Sequence, residues 1–380
     1  MQISSKLPAV GTTIFSTMSA LAKQHNAINL SQGFPDFNCS PKLVELATKY
    51  ISGGFNQYAP MPGTPQLRDR VAEILQQCYN AVYHPDTEIT ITAGATQAIY
   101  TALTAFIHKG DEVIVFEPAY DCYVPAIELQ GGIPVYSSLN ATTFSIDWES
   151  VKTKINSKTR AILINSPHNP SGTILSKQDL EQLEIVVRGK NILVISDEVY
   201  EHMVFDGQVH QSVAGSKTLA SQSILVSSFG KTVHTTGWKI GYVAASKELM
   251  AEFRKVHQFL VFAVNHPLQL ALADFLEDRT NYTALKDFYQ KKRDHFLKLT
   301  KDSRLVPLKT SGTYFQLMSY AKISQEPDKE MAIRLTKEKK LATVPLSVFY
   351  HQKTDNQLLR FCFAKKEETL ELAAEIICTL

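Results

Sequence analysis

The sequence predicts an α/β protein: a large domain built on a mainly parallel, helix-covered sheet, with a smaller α+β domain toward the C-terminus. Short β-branched runs recur through the middle: EITIT (88–92), EVIVF (112–116), AILI (161–164), NILVIS (191–196), SILVS (223–227) and IGYVAA (240–245). Between several of them lie helix-compatible stretches such as TQAIYTALTAFIHKG, where apolar residues return at three- and four-residue steps and a glycine closes the end. Strands alternating with helices build parallel sheets. Finally, 380 residues exceed what one hydrophobic core usually supports, so a second unit is expected.

Taken in order, the early runs form the sheet, and sheets of this kind bind ligands beyond the carboxyl ends of their strands. That places the turns after residues 92, 116, 164, 196 and 227 on one rim. After about residue 247 the pattern becomes helical, through KELMAEFRKVHQFL to YTALKDFYQKKRDHFLKLTKD, whose charged face points to solvent. TYFQLM and LLRFCFA are short strands near the C-terminus. The division expected is residues 40–285 for the large domain, with 1–39 and 286–380 forming the small domain and an N-terminal arm. No repeat, low-complexity tract or Gly/Ser linker marks the boundary.

Composition narrows the function. With 44% hydrophobic residues and 39 basic against 37 acidic side chains, the chain reads as an ordinary soluble globular protein, and the near-neutral balance argues against a nucleic-acid binder. Five scattered cysteines without C-x-x-C spacing indicate neither a disulfide framework nor a zinc site. No apolar run approaches the roughly 20 residues that span a bilayer, and MQISSKLPAV lacks a signal pattern, so a cytoplasmic protein without membrane or metal partners is expected.

The rim carries the chemistry. TAGATQA (92–98) sets a glycine and small residues before a helix, whose free N–H groups and dipole suit a phosphate, though a plain strand-helix connection reads the same way. EPAYDCY puts Tyr120 and Tyr123 past a strand end, where a flat ring either caps the core or stacks on a planar ligand. NSPHNPSG offers Asn165 and Asn169 on a proline-stiffened loop. SDEVYEH ends an apolar strand with Asp197, either solvated or paired with a buried cation. SSFGKTVHTTGWKIGY sets Lys231 among the hydroxyls of Ser227, Ser228 and Thr232, with Lys239 nearby and Gly237 and Gly241 allowing close backbone approach. Two neighbouring lysines depress an amine pKa, as a Schiff-base lysine requires. Phosphate cradle, stacking ring, ring-substituent asparagine, acid for a ring nitrogen and lysine together match the needs of pyridoxal phosphate.

Over nearly its whole length the sequence resembles the fold type I, class I aminotransferases, through SQGFPDF (31–37), NQYAPMPG (56–63), HNPSG, SDEVYEH and SSFGKTVHTTGWKIGY, and within them the branch that holds the methionine, kynurenine and glutamine enzymes. The resemblance implies the PLP-dependent transferase fold with a seven-stranded, mainly parallel sheet. It implies that Lys231 holds the cofactor and carries a proton, that Asp197 faces the ring nitrogen, that Tyr200 and Asn169 bond the ring oxygen, and that Tyr120 stacks on the ring. Ala95, Thr96, Ser228 and Lys239 would bind the phosphate, with Lys239 standing where the aspartate enzymes usually have arginine. Tyr58 would reach the phosphate from a neighbouring subunit, making a homodimer with shared sites. Arg360 would clamp the substrate carboxylate, helped by Asn169 and the backbone of Gly33, and Phe15 and Phe262 would line the side-chain pocket.

The expected activity is ping-pong transfer of an amino group from methionine or an aromatic or glutamine-like L-amino acid to a 2-oxo acid. A carbon–sulfur β-lyase using the same lysine is the alternative within enzymes, and a non-catalytic binding protein the alternative outside them.

Overall fold

The computed structural model of the protein describes residues 3–8 and 10–380. Its centre is a seven-stranded sheet: β1 (Ile89–Thr92), β2 (Glu112–Glu117), β3 (Ile133–Ser138), β4 (Thr159–Asn165), β5 (Leu193–Asp197), β6 (Ser223–Ser228) and β7 (Gly241–Ala244), in the order β1-β7-β6-β5-β4-β2-β3. All pairings are parallel except those of β7, which runs against both β1 and β6. The strand the sequence did not announce is β3: IPVYSS sits at the sheet edge and is only half-buried, so its apolar signal is weak.

Apolar residues clothe both faces, as a parallel sheet requires. Along β2, Val113 and Val115 face one side, where they join Ile99, Leu103 and Phe106 of the helix Ala95–Phe106 in one cluster. Ile114 and Phe116 face the other side and join residues of the helices Pro41–Ser52, Pro65–Tyr79 and Lys177–Val187. This alternation follows from the two-residue period of the strand.

A four-stranded antiparallel sheet follows, ordered Val344–Pro345, Leu358–Cys362, Phe315–Ser319, Val306–Pro307. The expected TYFQLM and LLRFCFA strands are its centre, paired with Leu317 opposite Arg360. The N-terminal segment is tied in by the parallel pairing of Ile28–Asn29 with Leu341–Ala342 and by the Cys362 N–H donating to Leu30 O at 2.8 Å. That tether lays Ser31, Gln32 and Gly33 beside Arg360 and Tyr314. A distinct core holds this region, with Met18, Leu30, Tyr289, Tyr314, Phe315 and Phe361.

Candidate active site

The ends of β1, β4, β5 and β6, the N-terminal segment and the strand Leu358–Cys362 converge on a pocket of about 310 Å³. Its lining includes every expected site residue except Tyr58 and Phe262: Phe15, Gly33, Ala95, Thr96, Tyr120, Asn169, Asp197, Tyr200, Ser228, Lys231, Lys239 and Arg360. Tyr58 is 82% exposed and meets Phe262 edge-on, with ring centroids 5.3 Å apart, so these two form a surface pair.

The end of the pocket nearest Gly94 is shaped by backbone. Gly94 caps the helix Ala95–Phe106 at φ +79, a conformation that disfavours any side chain, and no side chain caps the helix, which leaves its first N–H groups open. A Cβ on Gly94 would stand 3.3 Å from Lys239 Nζ, which sets that ammonium at the helix N-terminus. Gly241 allows the close approach expected of it, since a Cβ there would lie 2.5 Å from Ser227 O and 3.3 Å from Ala95 N. Gly237 does not play that part: its Cβ position is open space. Open N–H groups, the Lys239 charge and the lining hydroxyls of Ser228 and Thr96 fit a phosphate group.

Asp197, at the end of β5, is nearly fully buried. The Tyr123 hydroxyl donates to its Oδ2 at 2.6 Å and the Val199 N–H to its Oδ1 at 3.3 Å. Burial nevertheless raises its pKa from 3.8 to about 6, against the lowering effect of those bonds. Asp197 lines the pocket and forms no ion pair among the described residues, an opening that suits a cationic group. Because folding raises this pKa, the penalty is absent below the unfolded value and grows as pH rises through about 6, reaching about 3 kcal/mol. In the cofactor-free protein, Asp197→Asn should therefore be more stable than the parent at about pH 8, the difference fading near pH 4. Urea unfolding at both pH values checks this, and a pH-independent difference would contradict it.

Lys231 follows β6 in the short helix Phe229–Thr232. Its Nζ donates to the Tyr314 hydroxyl at 2.8 Å and to Gly33 O at 3.2 Å. Its pKa falls from 10.5 to about 8, chiefly through burial. Repulsion from Arg360 and Lys239 adds to this, so the expected lysine-lysine effect is present but secondary. Asn165 also lines the pocket, and its side chain is bonded within the protein: its Nδ2 donates to Asp197 O at 2.9 Å and its Oδ1 accepts the Asn169 N–H at 2.8 Å. It braces the loop that aims Asn169.

Arg360 is 1% exposed. Its Nη1 donates to Asn169 Oδ1 at 2.7 Å and its Nη2 to Ser31 O at 3.1 Å, while Nε is buried without a partner. Its Cζ stands 3.9 Å from the centroid of the Phe315 ring and 5.1 and 5.3 Å from those of Phe15 and Phe349. Among the described residues it forms no ion pair, an expensive arrangement for a buried guanidinium unless an anionic ligand joins it. Tyr123, Tyr314, Phe315 and Gln32 complete the site, and of these the sequence marks only Tyr123, as a rim aromatic. Their roles rest on contacts across long stretches of chain.

The fold and this constellation define a pyridoxal-phosphate transferase. Residues 25–377 match the family Aminotransferase class I and II. Methionine aminotransferase of Escherichia coli K12 is 49% identical, over 98% of this chain and 96% of that protein. Kynurenine–oxoglutarate transaminase of Dictyostelium discoideum is 33% identical, over 99% and 96%. A crystal structure from Escherichia coli, described by its reactivity as having a methionine aminotransferase function, superposes with a TM-score of 0.98 at 48% identity, covering 100% of both chains. The chain belongs to the class I and II aminotransferases and is a pyridoxal-phosphate-dependent transaminase of fold type I. Among the described residues, no helix is long and apolar enough to cross a membrane and no cluster of side chains suits a metal ion.

Proposed function

We propose that this aminotransferase takes its amino group from methionine or from an aromatic or glutamine-like L-amino acid and passes it to a 2-oxo acid by a ping-pong mechanism. The observation that carries the reading is Arg360, a buried guanidinium with no carboxylate partner among the described residues, set on three phenylalanine rings in the pocket that Lys231 lines. It is placed to take an α-carboxylate bidentately, with Asn169 holding one Nη and the Gly33 backbone alongside. The apolar surface of Phe15, Phe34 and Phe315 suits a thioether or aromatic side chain. Among the described lining residues Arg360 is the only arginine, which disfavours a second carboxylate. The names of the relatives, methionine and kynurenine enzymes, point the same way.

Bound here, pyridoxal phosphate supplies an aldehyde carbon for the amino group and a protonated ring that draws off electrons. Ala95, Thr96, Ser228 and Lys239 would hold its phosphate, Tyr120 would cover its face, and Tyr200 and Asn169 would bond its ring oxygen. Asp197 would stay ionised opposite the ring nitrogen. Lys231, depressed toward neutrality, would attach the cofactor and, once displaced, carry the α-proton at Nζ as general base.

The reading extends to the assembly. Tyr58, Phe259 and Phe262 are exposed by 82, 87 and 49%, a patch that a second copy of the chain would cover while bringing Tyr58 to its phosphate. A homodimer follows, and a sedimenting monomer with full activity would remove the role of Tyr58. Residues 40–285, with the large sheet, and 1–39 with 286–380, carrying the small one, are the two domains we assign. Five free cysteines accord with the reducing cytoplasm.

The decisive experiment adds L-methionine, L-phenylalanine, L-glutamine or L-kynurenine singly to the holoenzyme without a 2-oxo acid and follows cofactor absorbance. Conversion of the cofactor to its amine form, fastest with the preferred donor, is expected. Release of pyruvate and ammonia from sulfur substrates would instead establish the β-lyase.

A further inference from the structure

Lys231 has a built seat that no rim motif foretold. Its Nζ lies 2.8 Å from the Tyr314 hydroxyl and 3.2 Å from Gly33 O, and the Tyr314 hydroxyl in turn donates to the same Gly33 carbonyl. The directions of these bonds follow from the groups present. A carbonyl only accepts, so the tyrosine proton is committed to Gly33 and a lone pair of Oη faces the lysine. Two acceptors therefore meet one amine, an arrangement that suits its ammonium form.

The seat is rigid. Tyr314 is fully buried, edge-on to Tyr200 at 5.1 Å and against Phe315 at 4.9 Å. Burial holds its hydroxyl well above the ordinary tyrosine pKa, so it remains a neutral donor and acceptor. Gly33 is pinned in turn, since a Cβ there would stand 2.9 Å from the Phe315 ring. The one carbonyl thus joins the lysine to the N-terminal segment whose Ser31 O holds Arg360.

We propose that Tyr314 is a positioning residue for the catalytic lysine: its hydroxyl and the Gly33 carbonyl receive the Lys231 amine whenever it is not bonded to the cofactor, hold it as the proton carrier, and link its placement to the segment that contacts the substrate. The proposal rests on the aminotransferase reading above. The charged and titratable groups around the amine are Asp197, Tyr200, Lys239, Tyr314, Arg360 and Cys362. Of these only Tyr314 hydrogen-bonds it.

Removing an acceptor of an ammonium N–H disfavours the charged form, so Tyr314→Phe should lower the pKa of Lys231 further and loosen its aim. Tyr289→Phe is the control. Tyr289 packs against Tyr314 with ring centroids 5.6 Å apart, and its own hydroxyl is buried without a partner among the described residues, so the change removes the same atom from the same cluster without touching the lysine.

The test uses protein loaded directly with the amine form of the cofactor, which leaves Lys231 free. Its carbamoylation by cyanate is then followed against pH by peptide mass, and the methionine half-reaction is measured over the same range. In Tyr314→Phe, the modification midpoint and the acid limb of the half-reaction should both move down by about one pH unit. Maximal rate should fall about tenfold with the KM for methionine unchanged. Tyr289→Phe should behave as the parent. An unmoved midpoint in Tyr314→Phe, or an equal shift in Tyr289→Phe, overturns the proposal. The midpoint does not depend on turnover, so this result is separable from failure of the functional reading, which an active Lys231→Ala would reveal.

Discussion

On the role proposed for it, Lys231→Ala should lower transamination by about 10⁴-fold or more, the upper end of what a positioned proton carrier supplies, because the same side chain would also attach the cofactor. The effect should fall on the maximal rate in both half-reactions, since the donor carboxylate still finds Arg360. Phosphate-end binding should survive, because Gly94, Lys239 and Ser228 are independent of the lysine. Stopped-flow measurement of cofactor conversion with a single donor checks this. A variant within tenfold of the parent would refute the assignment, and with it the argument that burial depresses this amine for chemistry.

Arg360→Met should separate function from stability. Replacing one partner of a buried, charge-assisted contact costs about 2–5 kcal/mol, so kcat/KM for the amino donor should fall about 10²–10³-fold, mainly through KM. Folding stability should change by less than about 2 kcal/mol, because the guanidinium has no carboxylate partner and its recovered desolvation cost offsets the loss of its bonds to Asn169 Oδ1 and Ser31 O. A structural ion pair would behave oppositely, losing about 3–5 kcal/mol on breakage. Urea unfolding beside steady-state kinetics distinguishes the two. Arg360→Lys should not restore the parent, since an ammonium cannot reproduce the bidentate fork.

What could be read from the sequence was whatever lies within a few residues of itself. Asp197 at the end of an apolar strand, Gly94 before a helix and Lys231 after SILVS each announce themselves locally, and their strands carry them to one rim. The strand Ile133–Ser138 gives little signal because an edge strand buries less and alternates weakly. The reversal of β7 leaves no trace in composition, because direction is set by connections and packing. Tyr123 on Asp197 and Tyr314 on Lys231 join residues 74 and 83 positions apart, and no spacing rule reaches that far. Gly237 reads like Gly241 in sequence, yet only one of them lies against another backbone. The depression of the lysine pKa was anticipated, but its main cause is burial, a property of the assembled pocket rather than of its neighbours in the chain.

The sheet order has a consequence for how the protein is made. The strand Ile89–Thr92 stands at the sheet edge, with Gly241–Ala244 as its only neighbour among the described residues. On the ribosome that partner emerges about 150 residues later, which at roughly 5–20 residues per second leaves the strand unpaired for about 10–30 s. Through that interval ITIT is an uncovered β-branched edge, open to wrong partners. The helix Ala95–Phe106, proposed to hold the phosphate, directly follows it, so this end of the pocket is finished only when the reversed strand closes beside it. Chains truncated before Gly241 should therefore neither fold nor load the cofactor, and the nascent polypeptide is a natural client for chaperones until that strand arrives.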